Sequence, residues 1–253
     1  MDYSEDYHRS VGEGAERSAR VIARIVHALV RPESVVDVGC GIGEWLLAFA
    51  ELGVGDYLGV DAPDLSEDLL SIDSERFLAR DLGESLALRR TFDLAVSLEV
   101  AEHLPPERGE GFVEDLCRLA PAVLFSAAVP GQGDPESTGH VNERWQSYWA
   151  SLFQEHGYGR VECVRPAVWE DPRVEIWYRQ NTVLYVSAER LSSDAVLGRA
   201  QRENAAFPAS VVHPDPTSEH LASRTAQREN RRLKRRIRRL KERLDERPDS
   251  EAT

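Results

Sequence analysis

The chain has 253 residues, 42% hydrophobic and 30% charged, room for one α/β domain and an appendage. No apolar run approaches a membrane span, and the acidic opening M-D-Y-S-E-D-Y-H-R-S is no signal peptide. Residues 224–247 carry twelve Lys/Arg against four Asp/Glu, so the net charge of −13 leaves −21 on the remainder, an acidic body that makes nucleic acid a poor partner.

Residues 1–13 read as a lead-in whose Tyr3 and Tyr7 either fold over a ligand or form a plain terminal arm. Gly14 to Val30 reads as a helix with an apolar face of Val21, Ile22, Ile25, Val26 and Leu29, ended by Pro32. The stretch Val35 to Trp45, V-V-D-V-G-C-G-I-G-E-W, is the most informative in the chain. It starts as a buried strand, with Val35, Val36 and Val38 around Asp37, and breaks into Gly39, Gly41 and Gly43. It restarts as a helix through Trp45, Leu46, Leu47, Phe49 and Leu52. Strand, glycine turn and helix let a ligand approach bare backbone at the carboxyl edge of a parallel sheet. A Cβ there would block the ligand, and positive φ must be cheap. Cys40 sits inside the turn, where a small residue suffices. The pattern G-x-G-x-G is one residue shorter than the dinucleotide turn G-x-G-x-x-G.

Y-L-G-V-D (57–61) reads as a second strand ending in Asp61, 18 residues beyond Gly43, near the offset at which a carboxylate reaches a ribose. A carboxylate accepts from both vicinal hydroxyls at once; as a helix cap, Asp64 serves better. R-F-L-A-R-D-L (76–82) is a third strand candidate ending in Asp81. F-D-L-A-V-S-L (92–98) is a fourth, followed by E-V-A-E-H-L-P (99–105). Pro106 opens a helix to about Leu119, with Phe112, Val113, Leu116 and Leu119 inward, and Pro121 stops it. A-V-L-F-S-A-A-V (122–129) is the fifth strand. This alternation means a parallel sheet with helices on both faces.

Residues 130–145 form a long polar loop, a length usually tied to function. It ends in a cluster of His140, Asn142, Glu143, Arg144, Trp145, Tyr148 and Trp149. Helical spacing then runs to His156, with Gly157 as cap. R-V-E-C-V (160–164) and T-V-L-Y-V (182–186) are the last strands. Between them Trp169, Trp177 and Tyr178 interleave with Arg173, Arg179 and Gln180, an acceptor wall. The three cysteines, Cys40, Cys117 and Cys163, make no C-x-x-C pair, which argues against a disulfide framework or a zinc site and for a reducing, cytoplasmic setting. No motif asserts a metal; Asp134 and Glu136 could contribute to one, but nothing fixes a ligand set.

The glycine turn, with Asp37 two residues before it, resembles motif I of the class I S-adenosylmethionine-dependent methyltransferases. The resemblance extends over about residues 14–187. It implies a Rossmann-like seven-stranded, mostly parallel sheet with helices on both faces and the last strand antiparallel, carrying S-adenosylmethionine as cofactor. Carried onto this chain, the cofactor residues are Asp37, Gly39, Cys40, Gly41 and Gly43, then Asp61 and Ala62 for the ribose. Asp81 and Leu82 read the adenine, and Leu98 and Glu99 lie at the fourth strand end. There is no N-P-P-[YF] motif for amino methylation and no Pro-Cys nucleophile, which pushes the expected acceptor atom toward oxygen of a sugar, glycan or other small polar molecule and leaves other nitrogen chemistry open. H-V-N-E-R-W with W-Y-R-Q-N resembles a subgroup of glycan and natural-product tailoring enzymes. Glu143, Arg144, Trp145, Tyr148, Trp177, Tyr178 and Arg179 are the acceptor-binding candidates, and His140 and His103 the general-base candidates. Rival readings are a silent cofactor-binding scaffold, a nucleotide-dependent oxidoreductase, which the short glycine spacing disfavours, and an RNA methyltransferase.

The domain is expected over 1–189 and an Ala/Ser/Pro-rich linker over 190–217. A basic helix over 218–247 follows, then a disordered tail over 248–253. Leu233, Ile237, Leu240 and Leu244 make a short heptad seam, so residues 226–244 offer a homodimer contact or a contact with an anionic surface. A lipid-linked acceptor and a place at the membrane periphery would suit the latter; a solvated tail is the alternative.

Overall fold

The structure, a computed structural model, describes residues 5–133 and 139–214, without the side chains of 5–13 and Glu67. Tyr3, the side chain of Tyr7, Asp134, Glu136, the basic helix with its 226–244 seam, and the terminal tail lie outside what is described.

The first helix, α1 (Glu5–Val30), leads to β1 (Ser34–Val38), α2 (Glu44–Ala50), β2 (Asp56–Asp61) and β3 (Phe77–Ala79). Next come β4 (Leu94–Leu98), α3 (Gly109–Leu119), β5 (Ala122–Ser126) and α4 (Gln146–Glu155). The chain continues through β6 (Tyr158–Val161), α5 (Arg165–Val168), α6 (Ile176–Asn181) and β7 (Val183–Ser187). It closes with α7 (Ala188–Ser193) and α8 (Ala195–Glu203). The seven strands form one sheet in the order β3-β2-β1-β4-β5-β7-β6. All pairs from β3 to β5 are parallel, and β7 runs antiparallel to both β5 and β6. This is the expected sheet, with the reversed strand at the expected place.

β4 and β5 are buried at every position because helices cover both faces, which is why they read as unbroken apolar runs. On one face Ile22, Val26 and Val30 of α1 pack with Trp45, Leu46 and Phe49 of α2. On the other, Phe112, Val113 and Leu116 of α3 meet Trp149 and Phe153 of α4. Phe153 stacks on Tyr185 of β7 at 3.9 Å and 8°.

Several boundaries differ from expectation. α1 starts at Glu5 rather than Gly14, and at Gly14 tertiary contacts support the helix. Ser18 Oγ donates to Gly14 O and accepts from Glu175 N–H, at 2.7 and 2.9 Å, and a Cβ on Gly14 would press on the Glu175 carboxylate. β3 is a three-residue edge strand that ends before Asp81, and β6 begins two residues earlier than expected. The interval 165–181 contains α5 and α6. The interval 190–213 is packed structure rather than a free linker. Asp194 caps α8, whose Leu197 is fully buried, and His213 is buried as well. Ala/Ser composition hid these helices because their burial is tertiary, not periodic. No described helix is long and apolar enough to cross a membrane.

Candidate functional site

β1 delivers Asp37 to the sheet interior, opposite Gly59 of β2 and Val96 of β4. Asp37 is 2% exposed, its Oδ2 without a hydrogen-bond partner among the described residues, and burial, then Asp61 and Glu44, push its carboxyl well above the usual range. The chain then turns at Gly39 (φ +84°), Gly41 (φ +52°) and Gly43 (φ +102°) before α2. At Gly41 an added Cβ would meet nothing within 4 Å, so bare backbone faces open space. Asp61, at the end of β2, locks this turn. Its two oxygens accept the N–H groups of Gly41 and Ala62, each at 2.6 Å. Burial raises its carboxyl, partly offset by those two bonds.

A cavity of about 390 Å³ opens at this carboxyl edge, within the size range of small-ligand sites. The glycine turn from Gly39 to Ile42 lines it together with Leu98, Glu99, Glu102, His103, His140, Trp177 and Tyr178. Glu99 holds a left-handed conformation (φ +57°) that costs a non-glycine residue strain. Its carboxylate accepts from Gln132 Nε2 at 2.6 Å and Asn181 Nδ2 at 3.3 Å. Burial pushes Glu99 up, and it pushes Glu102 up further, with the charge of Glu99 adding to the latter. Tyr178, edge-on to Trp45 at 5.1 Å, is raised chiefly by burial.

The loop carrying His140 is fastened onto the segment after β4. The N–H groups of Val141 and Asn142 both donate to Glu102 O, at 2.8 and 2.9 Å, and Asn142 Nδ2 donates to Ala101 O. This sets the His140 ring edge-on to His103 at 4.9 Å. Desolvation against the cavity wall, then His140, draws His103 down to about 4, although the residue reaches the surface. Glu143 holds the other side of His140. Its Oε1 meets His140 Nδ1 at 2.9 Å and accepts Gly133 N–H at 2.6 Å, while Oε2 accepts Gly131 N–H at 2.6 Å. Burial pushes the Glu143 carboxyl up, but these bonds outweigh it and hold it below the usual range.

Of the residues singled out in the sequence, Gly39, Cys40, Gly41, Leu98, Glu99, His103, His140, Trp177 and Tyr178 line the cavity. Asp61 stands directly behind the turn, and Asp37 beneath it. Asp81 is exposed at the sheet edge, its Oδ1 accepting Gly83 N–H at 2.8 Å, and Leu82 is buried beside it. Arg144 Nε donates to Asn142 Oδ1, and its guanidinium lies over Tyr148 at 5.3 Å. Trp145 is 45% exposed, and Arg179 Nη1 donates to Trp169 O at 3.4 Å. Glu102, Gln132 and Asn181 were not singled out. Glu102 lies inside E-V-A-E-H, and a second acid three residues after Glu99 is the signal that could have found it.

The described residues fit a nucleoside cofactor with an amino-acid end: an open glycine cradle, a carboxylate fixed behind it and a cavity beyond. A family model described as a methyltransferase domain matches residues 10–167. Among curated proteins none matches. Among solved structures, Streptomyces venezuelae DesVI is 17% identical with a TM-score of 0.52, over 73% of this chain and 96% of that one. The mitomycin 7-O-methyltransferase MmcR is 15% identical with a TM-score of 0.51, over 72% of this chain and 56% of that one. The magnesium protoporphyrin IX methyltransferase ChlM of Synechocystis, solved with bound S-adenosylhomocysteine (SAH), is 16% identical with a TM-score of 0.50, over 70% and 84%. At such identities the likeness is one of fold; the family match covers more than half of the chain, which belongs to the methyltransferase-domain family of class I S-adenosylmethionine-dependent enzymes.

Proposed function

We propose that the protein transfers a methyl group from S-adenosylmethionine to a hydroxyl oxygen of a small polar acceptor, a sugar hydroxyl being the favoured class. Bound S-adenosylmethionine supplies an electrophilic methyl on a sulfonium, so that an O–CH₃ bond forms as the S–CH₃ bond breaks and its electron pair returns to sulfur. The backbone of Gly39 and Gly41 receives the cofactor, Asp61 accepts from its ribose hydroxyls, and Asp81 with the Leu82 N–H reads its base. Trp177 and Tyr178 give the acceptor an aromatic wall, and the remaining task is to hold it in line and exclude water. A hydroxyl attacks well only as its proton leaves. His140, with Nδ1 held by Glu143, has Nε2 to take that proton and pass it to solvent. The observation that carries the reading is one cavity lined both by the glycine cradle and by the Glu102–His103–His140 cluster.

The test is transfer from S-adenosylmethionine labelled in its methyl group, with purified protein and host extract lacking this gene. Glycan, small-molecule, protein and RNA fractions are then separated. The expected result is label in a glycan or small-molecule fraction as an alkali-stable ether. Label in RNA or protein replaces the acceptor, and an N-methyl product replaces the atom. Cofactor binding with no label in any fraction favours the scaffold.

A further inference from the structure

The cavity wall around Glu102 gathers more ligating power than one proton transfer requires. Glu102, His103 and His140 each offer one donor atom, and all three atoms lie within 4.8 Å of one another. Glu102 is fully buried; its carboxyl lies beside the Ala128 amide and the Glu99 carboxyl, and neither of its oxygens makes a well-formed hydrogen bond to the described residues. A buried carboxyl in such a place either keeps its proton or gives it up to a bound cation. Its neighbour Glu99 is a half-buried carboxylate, already bound to Gln132 and Asn181.

His140 is oriented as a ligand is oriented. Its Nδ1 is engaged by Glu143 Oε1, which leaves Nε2 as the free donor, and carboxylate–imidazole pairing of this kind fixes the tautomer of metal-binding histidines. Glu143 is itself immobilised by the amides of Gly131 and Gly133. A Cβ on Gly133 would overlap the His140 ring, so the loop closes tightly around the imidazole. The backbone carbonyl of Glu102 anchors Val141 and Asn142, so one residue fixes both a carboxylate donor and the loop that brings the second histidine. The arrangement is preformed across 38 residues of sequence, from Glu102 to His140.

We propose that Glu102, His103 and His140 bind a divalent transition-metal cation in the cavity, with its open coordination positions facing the acceptor. Two imidazoles and one carboxylate suit manganese, iron or zinc better than calcium or magnesium, which prefer all-oxygen sets. Three protein donors leave room for ligand oxygens, the pattern of reactive rather than structural sites. That an acceptor oxygen fills one of these positions rests on the proposed methyl transfer; cation binding itself does not. His140 Nε2 would then serve the ion instead of taking the proton, and the acceptor hydroxyl, made more acidic by the ion, would release its proton to solvent water as it attacks.

The experiment strips the full-length protein with EDTA and titrates it with MnCl₂, following free Mn²⁺ by electron paramagnetic resonance, with ZnCl₂ titrated calorimetrically in parallel. One ion per chain is expected. Glu102→Gln, which keeps the shape, and His103→Ala should each weaken binding about tenfold or more, and Glu143→Gln about tenfold through His140, with circular dichroism unchanged. Wild-type protein that binds neither ion, or Glu102→Gln and His103→Ala that bind as wild type does, overturns the site. Ion binding without methyl transfer keeps the site and removes the reaction. Undiminished methyl transfer by stripped protein that binds no ion keeps the reaction and removes the site.

Discussion

Asp61 performs two tasks with one carboxylate. Its oxygens hold the Gly41 and Ala62 amides at 2.6 Å, and their remaining lone pairs are available to a ribose. Asp61→Ala is expected to raise the dissociation constant for S-adenosylmethionine about tenfold or more, as charge-assisted bonds worth roughly 1.5–3 kcal/mol are lost. Calorimetric titration checks this, and an unchanged constant removes Asp61 from the site. Glu143 is a positioning residue by geometry, because its carboxylate holds the Gly131 and Gly133 amides of its own loop and the His140 ring. In Glu143→Gln an amide NH₂ must face either a backbone N–H or the ring, so kcat should fall while cofactor affinity holds; steady-state kinetics beside calorimetry separates the two. The glycine spacing and Asp61 were legible in the sequence because they are local and at fixed offsets. The Glu99–Gln132–Asn181 network was not, since its members lie 33 and 82 residues from Glu99 and only the sheet topology unites them.

α8 and the segment after it were the elements least legible in sequence, and they are held by polar contacts that hydropathy does not register. Asp194 caps α8 by accepting from Val196 N–H at 3.0 Å and Leu197 N–H at 3.2 Å. Burial raises its carboxyl, but these bonds, with Arg31 and Arg190, outweigh that and hold it below its usual value. A depressed carboxyl contributes stability above its unfolded pKa of about 4 and loses it as pH falls through the lower folded value. Asp194→Ala should therefore cost about 1 kcal/mol at pH 7 and less as the pH is lowered below about 4, read from urea unfolding at both ends. Beside it, fully buried Arg165 pairs through Nε with Glu162 at 2.8 Å and through Nη2 with the same carboxylate. It also donates to Ala209 O and Pro208 O, at 3.1 and 3.0 Å. Arg165→Ala leaves Glu162 buried with Arg160 as its remaining cation, and a loss of about 3 kcal/mol or more in unfolding free energy is expected.

Across the whole molecule, these contacts make residues 204–213 a strap joined to the cavity. Gln146 Nε2 donates to Val211 O at 3.0 Å, and Arg160 reaches Phe207 O at 3.0 Å. His213 N–H donates to Gln180 Oε1 at 2.8 Å, Gln180 Nε2 to Asn181 Oδ1 at 3.1 Å, and Asn181 Nδ2 to Glu99 in the cavity wall. The alternating strands and helices made the sheet readable from sequence, since each element buries its own periodic face. A strap buries few apolar side chains and binds through backbone carbonyls, so no periodicity announces it. Its contribution separates from that of the basic tail by comparing two truncations. Ending the chain after His213 keeps every contact named here, and its melting temperature and S-adenosylmethionine affinity should match those of the full chain. Ending it after Glu203 exposes Arg165 and Glu162 and releases Gln180, so melting should fall by several degrees, as a loss of one or more kcal/mol requires. Cofactor affinity should fall with it if the Gln180–Asn181–Glu99 chain positions the cavity wall. A shortened protein that melts early yet binds S-adenosylmethionine as before would confine the strap to stability and detach it from the site.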